Sequence, residues 1–193
     1  MSIATVLGQD GSKTDVQQNP RREWHELANN RKEFEVSDAA SMPRLLTLAV
    51  ERSGCDYKEE IANQPVRFIT IDRNRLAIVP CRSGVYRWHR VFDLTNLGKP
   101  RQMEFPLLSY KGGFGTTAEP GAVAWRKDAG VFEAELGSDM CPSPAIRHTY
   151  RLDQFRGLNF VVTRVEVAVD GCGAREWKTM WEATPWPEQA VVP

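Results

Sequence analysis

The sequence predicts a mainly β protein of the α+β class. The expected form is a curled antiparallel sheet, or a partly closed barrel or sandwich, stapled by disulfides and packed by one or two N-terminal helices. Three observations carry this expectation. Helical apolar spacing stops by about residue 55; from residue 65 onward short alternating runs rich in Val, Ile, Phe, Tyr and Trp recur; and Gly, Asn, Asp and Pro separate those runs at short intervals. With 193 residues, one core of ordinary size is expected, since a chain this long buries about 70% of its unfolded surface.

In chain order, residues 1–20 are polar and aperiodic and read as a flexible leader. Residues 21–186 form the expected single β-rich domain with its N-terminal helices, and 187–193 an extended, proline-marked tail. Trp24, Leu27 and Ala28 fall at helical spacing in a charged stretch, which predicts a short amphipathic helix. A second helix is predicted from Ser37 or Ser41 as N-cap, Pro43 in the first turn, and Leu45, Leu46, Leu48 and Ala49 as the apolar face. Gly54 stops that helix and delivers Cys55 at its end.

Strands are then expected over 66–71, 75–81, 85–94, 102–110, 121–127, 131–137, 147–152, 160–169 and 176–183. In the strand over 85–94, Tyr86, Trp88, Arg90, Phe92 and Leu94 read as the inward face, leaving His89 on the polar one. Trp177 and Trp181, four apart, are expected on one face. Trp186, between Pro185 and Pro187, is the tryptophan expected to be exposed or to cover a sheet edge.

Composition excludes several classes. Lys plus Arg number 25 against 25 Asp plus Glu, so the cationic surplus of a nucleic-acid binder is missing. No run approaches the roughly 18 to 20 apolar residues of a membrane span. The first twenty residues lack the basic start and apolar stretch of a secretory signal. Taken literally that points to the cytoplasm, or else a signal has been cut away and a start Met put in its place.

The four cysteines, Cys55, Cys81, Cys141 and Cys172, show no CxxC or other close-ligand spacing, so no zinc knuckle or other metal site is expected. Disulfides are the better reading, with four buried thiols in a cytosolic protein as the alternative. Three connectivities exist and sequence alone does not choose among them, although proximity favours Cys55 with Cys81 and Cys141 with Cys172.

Three segments carry a resemblance: LAIVPCRSGVY, AVAWRKDAGVFEAELGSDMC and VEVAVDGCGAREWKTMW. The first is an apolar run into Cys, then Gly and Tyr; the second an aromatic, a Lys-Asp-x-Gly turn and a strand leading to Cys; the third a closing strand, a Cys-Gly element and Trp-Thr-x-Trp. Together they resemble the bacterial periplasmic proteins of the domain of unknown function 1176 family. The likeness spans roughly residues 40–186 and matches the C-terminal half of longer members. It departs where Met140 and Pro142 flank Cys141 and where Val85 replaces a small residue. The resemblance implies a periplasmic or secreted location and a Cys55–Cys81, Cys141–Cys172 pairing. It implies no catalytic residue.

No catalytic set emerges from the motifs. There is no GxSxG elbow and no HExxH, and the glycines of KGGFGTT follow Lys111 instead of preceding a Lys-Ser/Thr. His25, His89 and His148 read as surface or strand-edge residues, and Glu133, Glu135, Glu166 and Asp93 are the carboxylates from which a glycosidase pair would be drawn. No cofactor is expected. The expected function is a non-enzymatic envelope domain that binds a periplasmic protein or cell-envelope component through its loops. The candidate ligand-binding residues are Ser83, Gly84 and Tyr86 of CRSGVY, with Gly113 and Phe114 of KGGFGTT. One version is inhibition of a lysozyme-type cell-wall hydrolase by the CRSGVY loop. The alternative is an envelope glycan or ester hydrolase using His89 or His148 with a carboxylate.

Overall fold

A computed structural model describes residues 19–83, 86–109, 113–137, 145–153, 157–168 and 175–184. The leader up to residue 18, the tail with Trp186, and both Cys141 and Cys172 lie outside the described residues. The first helix, α1, is Pro20–Ala28, so the boundary placed at residue 20 falls on its first residue. The Asn19 carboxamide oxygen caps it by accepting from the Arg21 N–H at 3.0 Å, and Asn29, at φ 44°, ends it. Trp24 and Ala28 are its buried face.

The second helix, α2, is Arg44–Arg52, and its start corrects the expected cap. Neither Ser37 nor Ser41 caps it; Pro43 stands at the N-cap without a side-chain bond. Asp38 instead caps a separate 3-10 turn at Ala39–Ser41, whose Ser41 hydroxyl donates back to the Asp38 carboxylate. The Arg44 N–H is taken by the Glu23 carboxylate of α1 at 2.9 Å, so one helix caps the other. Leu46 and Val50 are its buried residues, whereas Leu48 is exposed. Gly54, at φ +74°, ends the turn as expected.

Five strands follow as one antiparallel sheet in the order β1 (Glu33–Val36), β2 (Val66–Ile71), β3 (Asn74–Ser83), β4 (Tyr86–Asp93), β5 (Arg101–Gln102). Strand β1 was not expected, because its period-2 signal is only four residues long inside a charged run. Its Phe34 stacks on its register partner Phe68 at 4.8 Å, and the Trp24 ring meets both edge-on. The helices thereby close one face of this sheet over Phe68, Ala77, Val79, Cys81, Phe92 and Leu94.

The other face is buried as well. Ile69, Leu76, Ile78, Val91 and Met103 pack against a second five-stranded sheet, ordered β12 (Lys178–Glu182), β11 (Asn159–Ala168), β10 (Ala145–Asp153), β9 (Val131–Gly137), β8 (Ala122–Arg126). The second sheet contributes Phe132, Ala134, Ile146, Tyr150, Phe160, Val162 and Val165. The result is three layers: helices, first sheet, second sheet. Both sheets are antiparallel and neither closes into a barrel. The first sheet is thus a double-sided interior, which is why β4 alternates between two cores instead of between core and water. His89, expected on a polar outer face, is 6% exposed.

The strand expected over 102–110 splits into two. The Met103 N–H donates to the Val91 carbonyl at 2.8 Å and its side chain enters the core, after which the chain leaves the first sheet. It continues as β6 (Phe105–Leu108), which pairs with β7 (Phe114–Thr117) in a separate hairpin. Residues read as a glycine-rich loop therefore supply a strand. Phe105 anchors this hairpin, stacked on Phe160 at 4.0 Å and edge-on to Tyr150. Burial pushes the Tyr150 hydroxyl pKa up, and its oxygen has no hydrogen-bond partner among the described residues.

A disulfide joins Cys55, just past α2, to Cys81 in the central strand β3, with Cα atoms 5.2 Å apart. This is the expected first pairing. Among the described residues no helix is long and apolar enough to cross a membrane.

Candidate functional site

The histidines are considered first, because the enzyme reading depends on them. His89 donates its backbone N–H to the Gly121 carbonyl at 3.0 Å, while its ring Nδ1 accepts from the Val123 N–H at 2.7 Å. One residue of the first sheet therefore binds the start of β8 in the second sheet twice. Because Nδ1 accepts, the neutral ring carries its proton on Nε2, which stands 2.7 Å from the Gln64 side chain. The Gln64 amide must present its oxygen there. Burial, with Arg67 adding to it, lowers the ring's pKa to about 4.

The sign of the linkage follows directly. Between about pH 6.5 and 4 the unfolded chain binds a proton on His89 that the folded chain refuses, so this contribution is complete above pH 6.5 and is lost as pH falls through that window. The expected loss is about 3 kcal/mol by pH 4. Urea unfolding of the native protein and His89→Gln at pH 7.5, 5.5 and 4.0 should show their difference shrinking as pH drops; a pH-independent difference would contradict the assignment.

His148 is likewise interior, at 4% exposed. Its Nε2 lies 3.0 Å from the Leu108 amide nitrogen, tying β10 to the β6–β7 hairpin, and burial lowers its pKa. Both rings were expected at the surface or at a strand edge, and both are instead fasteners between layers. Strand periodicity misassigned them because it assumes one wet face.

The carboxylates available for glycoside chemistry are each held by an arginine. Glu133 meets Arg126 at 2.7 Å, Glu166 meets Arg147 at 2.8 Å, Asp93 meets Arg101 at 3.3 Å, and Glu135 pairs with Arg175. Arg147 and Glu166 are register partners on the outer face of the second sheet, and the Trp177 ring covers the Arg147 guanidinium at 4.3 Å. Among the described residues no histidine ring is hydrogen-bonded to a carboxylate. Among the described residues no group of three or more His, Cys, Asp or Glu could hold a metal ion.

The five residues expected to bind a ligand are divided between two hairpins. Ser83 and Tyr86 are register partners closing the β3–β4 hairpin, and Gly84 lies outside the described residues. Gly113, at φ +127°, precedes β7, and its carbonyl accepts from the Ser109 N–H at 3.1 Å. Phe114 is the first residue of β7 and is 63% exposed. Its ring meets Trp181 of β12 edge-on at 5.8 Å.

That contact defines an apolar surface that sequence spacing did not reveal. Trp181 pairs with Val165 while Thr179 pairs with Glu166, so Met180 is an extra residue in β12. The irregularity reverses the alternation. Trp181 turns toward the core side, whereas Trp177 sits over Arg147 on the outer face, so the two tryptophans do not share a face. Met180 is left 50% exposed beside them. Only the pairing shows this, since Lys178 to Glu182 reads as a regular strand. β12 is the last strand of its sheet among the described residues, so this apolar surface lies on a sheet edge. Comparison with family models, with curated proteins and with solved structures finds no match to this chain.

Proposed function

We propose that this chain is an extracytoplasmic, non-enzymatic binding module that takes an envelope or secreted protein along the edge of its second sheet. The observation that carries the reading is the set formed by Phe114, Met180 and Trp181, apolar and partly exposed on edge strand β12 and the neighbouring hairpin. Exposed aromatic and methionine side chains are the types enriched at protein interfaces. An edge strand offers backbone donors and acceptors to an extended partner segment. The Cys55–Cys81 disulfide supports a location outside the cytoplasm. The histidine bonds favour binding over catalysis, since both rings fasten one layer to another.

The test uses a photo-crosslinking residue placed in turn at Phe114, Met180 and Glu133, in the oxidised full chain, with a lysozyme-type hydrolase included as one defined partner. A discrete protein adduct from the first two positions, absent from Glu133 on the outer face, is the expected result. Phe114→Ala with Met180→Ala should then weaken the isolated complex at least about tenfold. Equal yields at all three positions, or an adduct consisting only of a second copy of the chain, would contradict the reading.

A further inference from the structure

Among the described residues nine arginines, Arg22, Arg67, Arg82, Arg90, Arg101, Arg126, Arg147, Arg164 and Arg175, each meet a carboxylate. This pairing is what a chain of zero formal charge allows. Arg21 and Arg75 meet no carboxylate among the described residues, and the two share one surface. An open groove of about 900 Å³ runs between the start of α1 and the turn after β4, lined by Arg21, Trp24, His25, Arg75, Thr95 and Asn96 among others, and none of the described residues lining it is acidic.

The groove is built from fixed parts. Trp24 is 8% exposed and held edge-on by Phe34 and Phe68, and the Arg75 guanidinium lies over its ring at 5.6 Å. Stacking on an aromatic face orients the planar fork and leaves its N–H edges for a ligand. Across the groove, the turn is pinned by the Asp93 carboxylate accepting from the Thr95 N–H at 2.9 Å and the Asn96 side chain accepting from the Gly98 N–H at 3.1 Å. Asp93 is itself engaged by Arg101, so its charge is answered outside the groove.

We infer that this groove binds a small organic phosphate, gripped by the forks of Arg21 and Arg75, with Thr95 and Asn96 as neutral hydrogen-bonding neighbours. Paired guanidinium forks match the oxygens of a phosphate better than a lone carboxylate oxygen. The volume is in the range of small-molecule sites, so more than one phosphate fits. The site lies on the helix side of the first sheet, and it stands or falls independently of the β12 edge.

The experiment titrates the oxidised full chain with pyrophosphate at low salt, following the Trp24 indole and the Asn96 and Gly98 amides by NMR. One saturable site centred on those resonances is expected. Arg21→Gln combined with Arg75→Gln should lower its affinity at least about tenfold. Exposed Arg21→Gln alone should lower it measurably without affecting the fold, while Arg52→Gln, away from the groove, should leave it unchanged. Absence of saturation, equal affinity in the double variant, or citrate binding as tightly as pyrophosphate would overturn the assignment.

Discussion

Replacing Cys55 and Cys81 together by alanine is expected to lower the unfolding free energy by about 3.5 kcal/mol. The bridge closes a loop spanning 26 positions, and freeing it restores chain entropy to the unfolded state. The native side also depends on it. α2 is only nine residues long, too short to persist alone, and its end is joined to the central strand β3 by this bridge. The Asp56–Arg82 bridge lies next to the disulfide and fixes the same corner. Urea unfolding of the oxidised protein and of the double variant should place the second well below the first. A difference under about 1 kcal/mol would show that the crosslink does not hold this corner.

Gly121→Ala is expected to cost about 4 kcal/mol, from a left-handed backbone and a steric clash together. Gly121 sits at φ +104°, and a Cβ there would stand 2.2 Å from the Glu135 carbonyl oxygen and 2.7 Å from its carbon. Both are backbone atoms of β9, so no side chain can swing aside. The Gly121 carbonyl also accepts the His89 N–H, which makes this residue the point where the two sheets meet. Arg90 reinforces the same junction by donating to the Ser53 carbonyl behind α2 and to Glu119 before β8. Movement forced on Gly121 therefore reaches three layers. Thermal unfolding should show a large drop in midpoint with retained strand content at low temperature, and a near-neutral effect would mean that the junction carries little of the fold.

Much of the fold was legible in the sequence because most strands carry their own signal. VRFITI and VFEAELG gave β2 and β9 with their bounds, since turn residues flank each run. The Cys55–Cys81 pair was the one proximity in sequence favoured among three open connectivities. What failed has one common cause: the layers were unknown. His89 was placed outside because period-2 alternation distinguishes two faces but not what covers them. β1 was hidden because Phe34 and Val36 are legible only once Phe68 is opposite. β7 was read as loop because its exposed pattern, Phe114 to Thr117, gains meaning only from pairing with β6.

The candidate sites divide in the same way. Phe114 was identifiable as an aromatic near glycines, whereas Met180 emerged only from the irregular pairing of β12. Arg21 and Arg75 are far apart in sequence, and no local pattern joins them; Trp24, reached from β3 by Arg75, brings them to one groove.

An oxidised module working outside the cytoplasm is the claim on which the functional reading rests, and thiol labelling of the protein taken from its own cells addresses it most directly. Cells are quenched in acid, the protein is denatured without reductant and alkylated, and the peptides bearing Cys55 and Cys81 are identified by mass. The expected result is that neither cysteine is alkylated and that the two peptides are recovered as one crosslinked species. Recovery of both as separate, fully alkylated peptides would place the working protein in a reducing compartment and contradict the account.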